Sequence, residues 1–415
     1  MNGLRAYIAV TAAYWAFMLS DGALRMLVLL HFHTLGFSPV ELAYLFLLYE
    51  VMGIVTNLSA GWLAQRFGLA STLYAGLAIQ IAALLALAAL SPEWGTAASV
   101  AYVMAVQGAS GVAKDLAKMS SKSAVKLLAP KDDGGLFRWV ALLTGSKNAV
   151  KGLGFFLGAA ILGLAGFKAS VLAMAGILAA ILAATLAFMP EGLPAGKKGT
   201  KASAVWPRDP DIRALSLARV FLFGARDTWF VVGIPVFFYA ALSDGTPEGN
   251  RTAFFLIGTF MAAWVIFYGA VQATAPRFLA RQTATLPGTV QAARFWVGIL
   301  TAIPAVLALA AVLALPGLVA VVVAGLLAFA VVFALNSALH SYLILAFSKS
   351  ERVTMDVGFY YMANAAGRLL GTLLSGLCYQ AGGVAGCLAA AAVMAALSWL
   401  AAARLAARHP AGVAS

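Results

Sequence analysis

Four lysines stand at four-residue intervals between Gly111 and Pro130: Lys114, Lys118, Lys122 and Lys126. On a helix each such step turns a side chain by about 40° and advances it by about 6 Å, so the ammonium groups line one side over about 18 Å. A one-sided ladder of positive charge raises the local concentration of multivalent anions. Its lower rungs, Lys122 and Lys126, also fit a plainer reading: a helix end that leaves a bilayer into the cytoplasm under the positive-inside bias. The upper rungs, Lys114 and Lys118, are read as facing a cavity and forming a substrate entry. Ser120, Ser121 and Ser123 add hydroxyls there, and Asp115 can pair with Lys118 at i,i+3.

A second set of cations, Arg25, Lys147, Lys151, Arg226 and Arg368, lies deep inside apolar stretches. A basic side chain at the centre of a bilayer costs about 2.5–3.5 kcal/mol on insertion scales, and so faces a protein interior or a water-filled cavity. Guanidinium forks pair with phosphate or carboxylate oxygens, and ammonium groups add point charge. These five are the candidate substrate-binding residues. Arg25, Lys147 and Lys151 would hold one end of an anion with two charged groups, and Arg226 and Arg368 the other. The competing reading is that each cation is neutralised and serves packing alone. Asp21 lies four residues from Arg25 and Asp227 is next to Arg226, whereas Lys147, Lys151 and Arg368 have no acid close by on their own helix. Asp21, Glu50 and Asp227 are in turn candidates for proton coupling, Glu50 foremost because its helix carries no basic neighbour.

Other chemistry finds little support. His31 and His33 form an H-x-H pair without a further ligand, too little for a metal site. Cys378 and Cys387 sit in apolar surroundings and read as small buried residues. Asp132 and Asp133 are adjacent carboxylates, but Gly134 and Gly135 follow them and mark a turn. Neither an enzyme nor a bound cofactor is expected.

Membrane helices must position these side chains. Of the 415 residues 63% are hydrophobic and 10% charged, against about 25% charged in soluble domains. Apolar runs repeatedly exceed the 18 or so residues that span a bilayer. Turn signals separate twelve spans, at 5–33, 39–66, 70–91, 96–127, 136–165, 168–189, 213–242, 250–276, 289–315, 318–347, 354–381 and 384–408. The only long polar stretch, 190–213, has a linker's composition and divides the chain into an N-terminal bundle (1–189) and a C-terminal bundle (214–415). The expectation is an all-α membrane protein with twelve transmembrane helices in two six-helix bundles. With a cytoplasmic N-terminus, seventeen basic residues fall on the inside and two, Lys168 and Arg251, outside. That excess puts both termini in the cytoplasm. Nine basic residues remain within spans, Arg219 among them, against the four acids Asp21, Glu50, Asp115 and Asp227. Spans 3, 6 and 12 have no charge at their centres and span 9 has only Arg294, so every third helix is expected to face lipid. Gly154 and Gly158 have the spacing of a close helix contact. The halves echo one another, Asp21 to Arg25 with Gly224 to Asp227 and Lys147 to Lys151 with Asn364 to Arg368, as the repeats of secondary transporters do.

The stretch GWLAQRFGLA (61–70) resembles the major facilitator superfamily signature G-x-x-x-D-R-x-G-R-R. Gly61, Arg66 and Gly68 match; Gln65 replaces the aspartate, and Leu69 and Ala70 replace the trailing basic pair, which weakens the parallel to drug/proton antiporters. A second resemblance covers most of the chain. DGALRMLVLLHFHTLGFSP (21–39), GVAKDLAKMSSKSAVKLL (111–128), LTGSKNAVKGLGFFLG (143–158) and FLFGARDTWFVVGIPVF (221–237) are similar to the ArsJ family of bacterial organoarsenical efflux permeases. That resemblance implies export of 1-arseno-3-phosphoglycerate across the bacterial cytoplasmic (inner) membrane, conferring arsenate resistance. It also implies a functional partner, a glyceraldehyde-3-phosphate dehydrogenase that makes the ester. The family supplies no binding residues, so the site above rests on the charges alone. The charges equally admit an exchanger or importer of phosphorylated metabolites. They oppose a drug/proton antiporter, whose cationic cargo wants an acidic, aromatic pocket.

Overall fold

A computed structural model describes residues 2–128, 135–188, 207, 209–348 and 353–410. Its regular elements are helices: α1 (Asn2–Thr34), α2 (Pro39–Phe67), α3 (Leu69–Ala88), α4 (Thr96–Leu128), α5 (Gly135–Ala165), α6 (Phe167–Phe188), α7 (Pro210–Phe230), α8 (Gly233–Leu242), α9 (Pro247–Phe278), α10 (Leu286–Val312), α11 (Leu318–Phe347) and α12 (Val353–Arg408). Eleven helical stretches among the described residues are long and apolar enough to cross a membrane. Most of the expected linker, 190–213, lies outside the described residues.

Two departures from the expected spans have local causes. The seventh span is broken into α7 and α8, which still count as one apolar stretch, Pro210–Leu242. Pro235 has no N–H to return to the carbonyl of Val231, so the ladder fails there. Ser375 Oγ accepts the freed N–H groups of Val232 and Gly233 at 3.0 and 3.1 Å. The second departure is α12, which contains both of the last two expected spans in one stretch. A straight helix of its 56 residues would run about 84 Å, far beyond a hydrocarbon core of about 30 Å. Gly382 and Gly383 leave helical geometry, Gly383 with φ 57°. Cys387 Sγ then donates to the carbonyl of Ser375, twelve residues back, at 3.3 Å. A continuous helix would hold those residues about 18 Å apart, so the chain reverses at the glycine pair.

The helices group into two units. The first takes the described residues of Met1–Phe37, Leu48–Ala204 and Ser243–Ile266; the second takes those of Ser38–Leu47, Val205–Leu242 and Phe267–Ser415. The start of α2 thus belongs to the second unit, where Gly376 of α12 lies against Ala43. The start of α9 belongs to the first, where its Gly258 lies against Ala159 of α5.

Glycines set the closest helix contacts in each unit. A Cβ at Gly154 or Gly158 of α5 would strike the backbone of α1 at Leu19 or Ala23, and one at Gly22 would strike the carbonyl of Lys151. In the second unit a Cβ at Gly367 would strike Val220, and one at Gly371 would strike the carbonyl of Gly224. Small residues that let backbones approach are the usual means of packing helices in lipid. Of the spans expected to face lipid, α6 and α10 have the least buried apolar windows, 28% and 33%, whereas α3 at 44% equals α2. There Gly76 packs on α4, and buried Gln80 accepts a hydrogen bond from Ser110.

Candidate functional site

In the first unit, the close contact of α1 with α5 brings Asp21 to Lys151. Lys151 Nζ donates to Asp21 Oδ2 at 2.6 Å, and the hydroxyl of Tyr49 donates to Oδ1 at 2.6 Å. One residue on, Glu50 Oε1 accepts from Arg25 Nη2 at 3.2 Å. Gly111 of α4 lies against the backbone of Tyr49, which lets α4 approach α2 and sets Lys114 Nζ 4.2 Å from the Tyr49 ring centroid. The Arg25 guanidinium carbon is 5.5 Å from the same centroid. Tyr49 is therefore the centre of this site: its hydroxyl holds a carboxylate and its ring faces two cations.

A turn further along α4, Asp115 Oδ1 accepts from Lys118 at 3.1 Å, and Lys114 Nζ lies 3.9 Å from Oδ2. Thr56 donates its hydroxyl to Asp115, and Lys118 also donates to Asn57 Oδ1 at 2.9 Å. The upper rungs of the lysine ladder thus flank one buried carboxylate. The side chains of Lys122 and Lys126 lie outside the described residues. Lys147 is half-buried, one turn from Lys151 on α5.

The second unit repeats the device on α7 and α12. Asp227 is 1% exposed and takes two cations, Arg226 at 2.5 Å and Arg368 at 3.2 Å. Arg226 is also caged by rings, with Phe223, Phe333 and Phe230 centroids 4.8, 5.6 and 5.7 Å from its guanidinium carbon. The break between α7 and α8 begins one turn beyond Asp227, and irregular backbone of this kind accompanies binding sites in transporters.

The structure replaces one pairing suggested by sequence proximity and adds two. Arg25 pairs with Glu50 on α2 and not with Asp21 four residues away. Asp21 belongs to Lys151, and Arg368 to Asp227. Lys151 and Arg368 thus do have acids, supplied by other helices. Glu50, set apart as the acid without a basic neighbour on its own helix, has one on α1. In each unit one carboxylate meets two cations: Asp115 meets Lys114 and Lys118, and Asp227 meets Arg226 and Arg368. Two cations about one carboxylate carry a net positive charge, which can receive an anion without first expelling the carboxylate.

Sequence reasoning missed Tyr49, Thr56 and Asn57. Only the place of Tyr49 beside Glu50 could have marked it.

No family model matches the chain, and no curated protein matches it. Solved structures do. A mutant form of the nucleoside transporter NupG shares 16% identity over 99% of this chain and 100% of its own, with a TM-score of 0.69. A POT family transporter in complex with 5-aminolevulinic acid shares 13% over 98% and 96%, with a TM-score of 0.74. A bacterial homologue of the iron transporter ferroportin, in an inward-facing state, shares 13% over 98% and 99%, with a TM-score of 0.69. Over almost its whole length, the chain has the fold of these membrane transporters.

Proposed function

We propose that this protein is a secondary transporter of the major facilitator type, exporting a small multivalent organic anion by alternating access. The single observation that carries the reading is a buried carboxylate in each unit that is shared by two cations, Asp115 by Lys114 and Lys118 and Asp227 by Arg226 and Arg368. A carrier of cations or neutral solutes has no need to hold that charge in a low-dielectric interior. Arg25, Lys147 and Lys151 serve one anionic group, Arg226 and Arg368 another, and Lys114 and Lys118 draw the anion in. Asp21, Glu50 and Asp227 are the proton-coupling candidates, because a proton on any of them releases its cation for the substrate.

The chain crosses the bilayer twelve times in this reading, with the reversal at Gly382–Gly383 separating the last two crossings. Two six-helix bundles flank the 190–213 linker, and both termini lie in the cytoplasm of a bacterium. The similarity of the four charged stretches to the ArsJ family supports 1-arseno-3-phosphoglycerate as the cargo, with a glyceraldehyde-3-phosphate dehydrogenase supplying it and arsenate resistance as the outcome. The test is accumulation by inside-out vesicles of the ester, generated in situ, and of 3-phosphoglycerate. Uptake of the ester well above that of 3-phosphoglycerate is expected. Equal uptake of both would make the protein a carrier of phosphorylated metabolites, and uptake of neither would remove the reading.

A further inference from the structure

Helix α11 belongs to the most apolar stretch of the chain, with a mean hydropathy of 3.0, yet it buries Asn336, Ser337 and His340 at 0–1% exposure. Ser337 meets Arg219 of α7, a cation outside the set assigned above, and His340 stands one turn along the same face of α11, while Asn336 donates to the carbonyl of Ala293 on α10. Arg219 is 5% exposed. Its Nε donates to Asn364 Oδ1 at 3.0 Å and its Nη1 to Ser337 Oγ at 3.2 Å. Gln272 Nε2 reaches the same Ser337 oxygen at 3.4 Å. The guanidinium lies 4.0 Å from the Phe223 centroid and 4.9 Å from that of Tyr360.

These partners are neutral. Among the described residues no carboxylate lies within ion-pair distance of Arg219, in contrast to Arg25, Arg226 and Arg368. Hydrogen bonds and rings orient a guanidinium but do not cancel its charge. A buried charge without a counter-ion is costly enough that one is normally supplied. One polar atom on the face of α11 that carries Ser337 is also unsatisfied: Nδ1 of the fully buried His340 has no hydrogen-bond partner. His340 stands three residues beyond Ser337 on α11, on the helix face that meets Arg219. Packing explains neither the missing counter-ion nor the orphaned nitrogen. An oxyanion explains both, since it would accept from Arg219 Nη2 and from an N–H of His340.

We propose that Arg219 and His340, oriented by Ser337 and Asn364, form an oxyanion-binding site of the second unit, separate from the Arg226–Asp227–Arg368 cluster. It takes a tetrahedral phosphate or arsenate group. The site rests on the anion-carrier reading and adds to it a binding cation that no carboxylate occupies. Arg219 is about 10 Å nearer the start of α7 than Arg226. The Phe223 ring lies against both guanidinium groups, at 4.0 and 4.8 Å, and links the two positions.

The experiment is thermal unfolding of the purified full-length protein in detergent, titrated with inorganic phosphate and with 3-phosphoglycerate. Wild type, Arg219→Gln and Arg219→Lys are compared, with glycerol as the uncharged control. Wild type is expected to gain stability with either anion and none with glycerol. Arg219→Gln is expected to unfold, without anion, at or above the wild-type temperature, because an uncompensated charge has gone, and to lose the anion response. Arg219→Lys keeps the charge but loses the fork, and weakens anion affinity by about 10- to 100-fold. Should Arg219→Gln fail to fold, Arg219→Lys decides. A wild-type response kept unchanged in the variants overturns the Arg219 site alone. No response in wild type overturns the anion-carrier reading, and this site with it.

Discussion

Asp21 and Lys151 show what a buried pair does in this protein. The carboxylate has 3% of its side chain exposed and takes two strong donors, Lys151 and Tyr49. Removing one member of such a pair strands the other in a low-dielectric interior, at about 3–5 kcal/mol, whereas removing both is often close to neutral. Asp21→Asn and Lys151→Met should therefore each lower the unfolding midpoint in detergent, and the double variant should recover most of the loss. Simple addition of the two losses would mean that the residues act independently. The residue types were legible in the chain: every buried cation discussed here stands out against its apolar surroundings. The partners were not, because sequence proximity is a poor guide when acids lie across helix interfaces. Lys151 and Asp21 are 130 positions apart, and Arg368 and Asp227 are 141 apart. Arg219 was visible as a charge in a span, but its lack of a carboxylate could be seen only once α7, α11 and α12 were assembled.

Between helices, the glycine contacts bring the charges to one another. Gly154 and Gly158 hold α5 against α1, and Gly367 and Gly371 hold α12 against α7. Gly158→Leu forces α5 away from the Ala23 backbone, and overpacking of this kind costs about 1–3 kcal/mol. The expected outcome is a lower unfolding midpoint together with loss of transport, since Lys151 is withdrawn from Asp21. A variant that keeps wild-type uptake would show that the α1–α5 contact does not position the site. The spacing of Gly154 and Gly158 announced a close contact, and α5 makes one. Its partner surface, Gly22 and Ala23, carried no such signal, because a glycine beside an aspartate reads equally well as a local kink. The break after Phe230 follows from Pro235, whose missing N–H mattered less to the apolar pattern than to the hydrogen-bond ladder. The reversal at Gly382–Gly383 was legible because two adjacent glycines divide one long apolar run.

For the whole molecule, composition and span length suffice to identify a polytopic helical membrane protein, and the match to transporters over nearly the full chain gives its fold. The cargo is not written in the fold, since the similar structures include a nucleoside transporter and a ferroportin homologue. In the proposed reading it depends on the cations that share Asp115 in one unit and Asp227 in the other. The most direct test is uptake of 1-arseno-3-phosphoglycerate into inside-out vesicles that hold equal amounts of wild type, Lys147→Gln and Arg368→Gln. Accumulation by wild type and none by either variant is expected, with membrane insertion unchanged. Wild-type vesicles no better than empty ones, or full uptake by both variants, would contradict an anion carrier built on these charges.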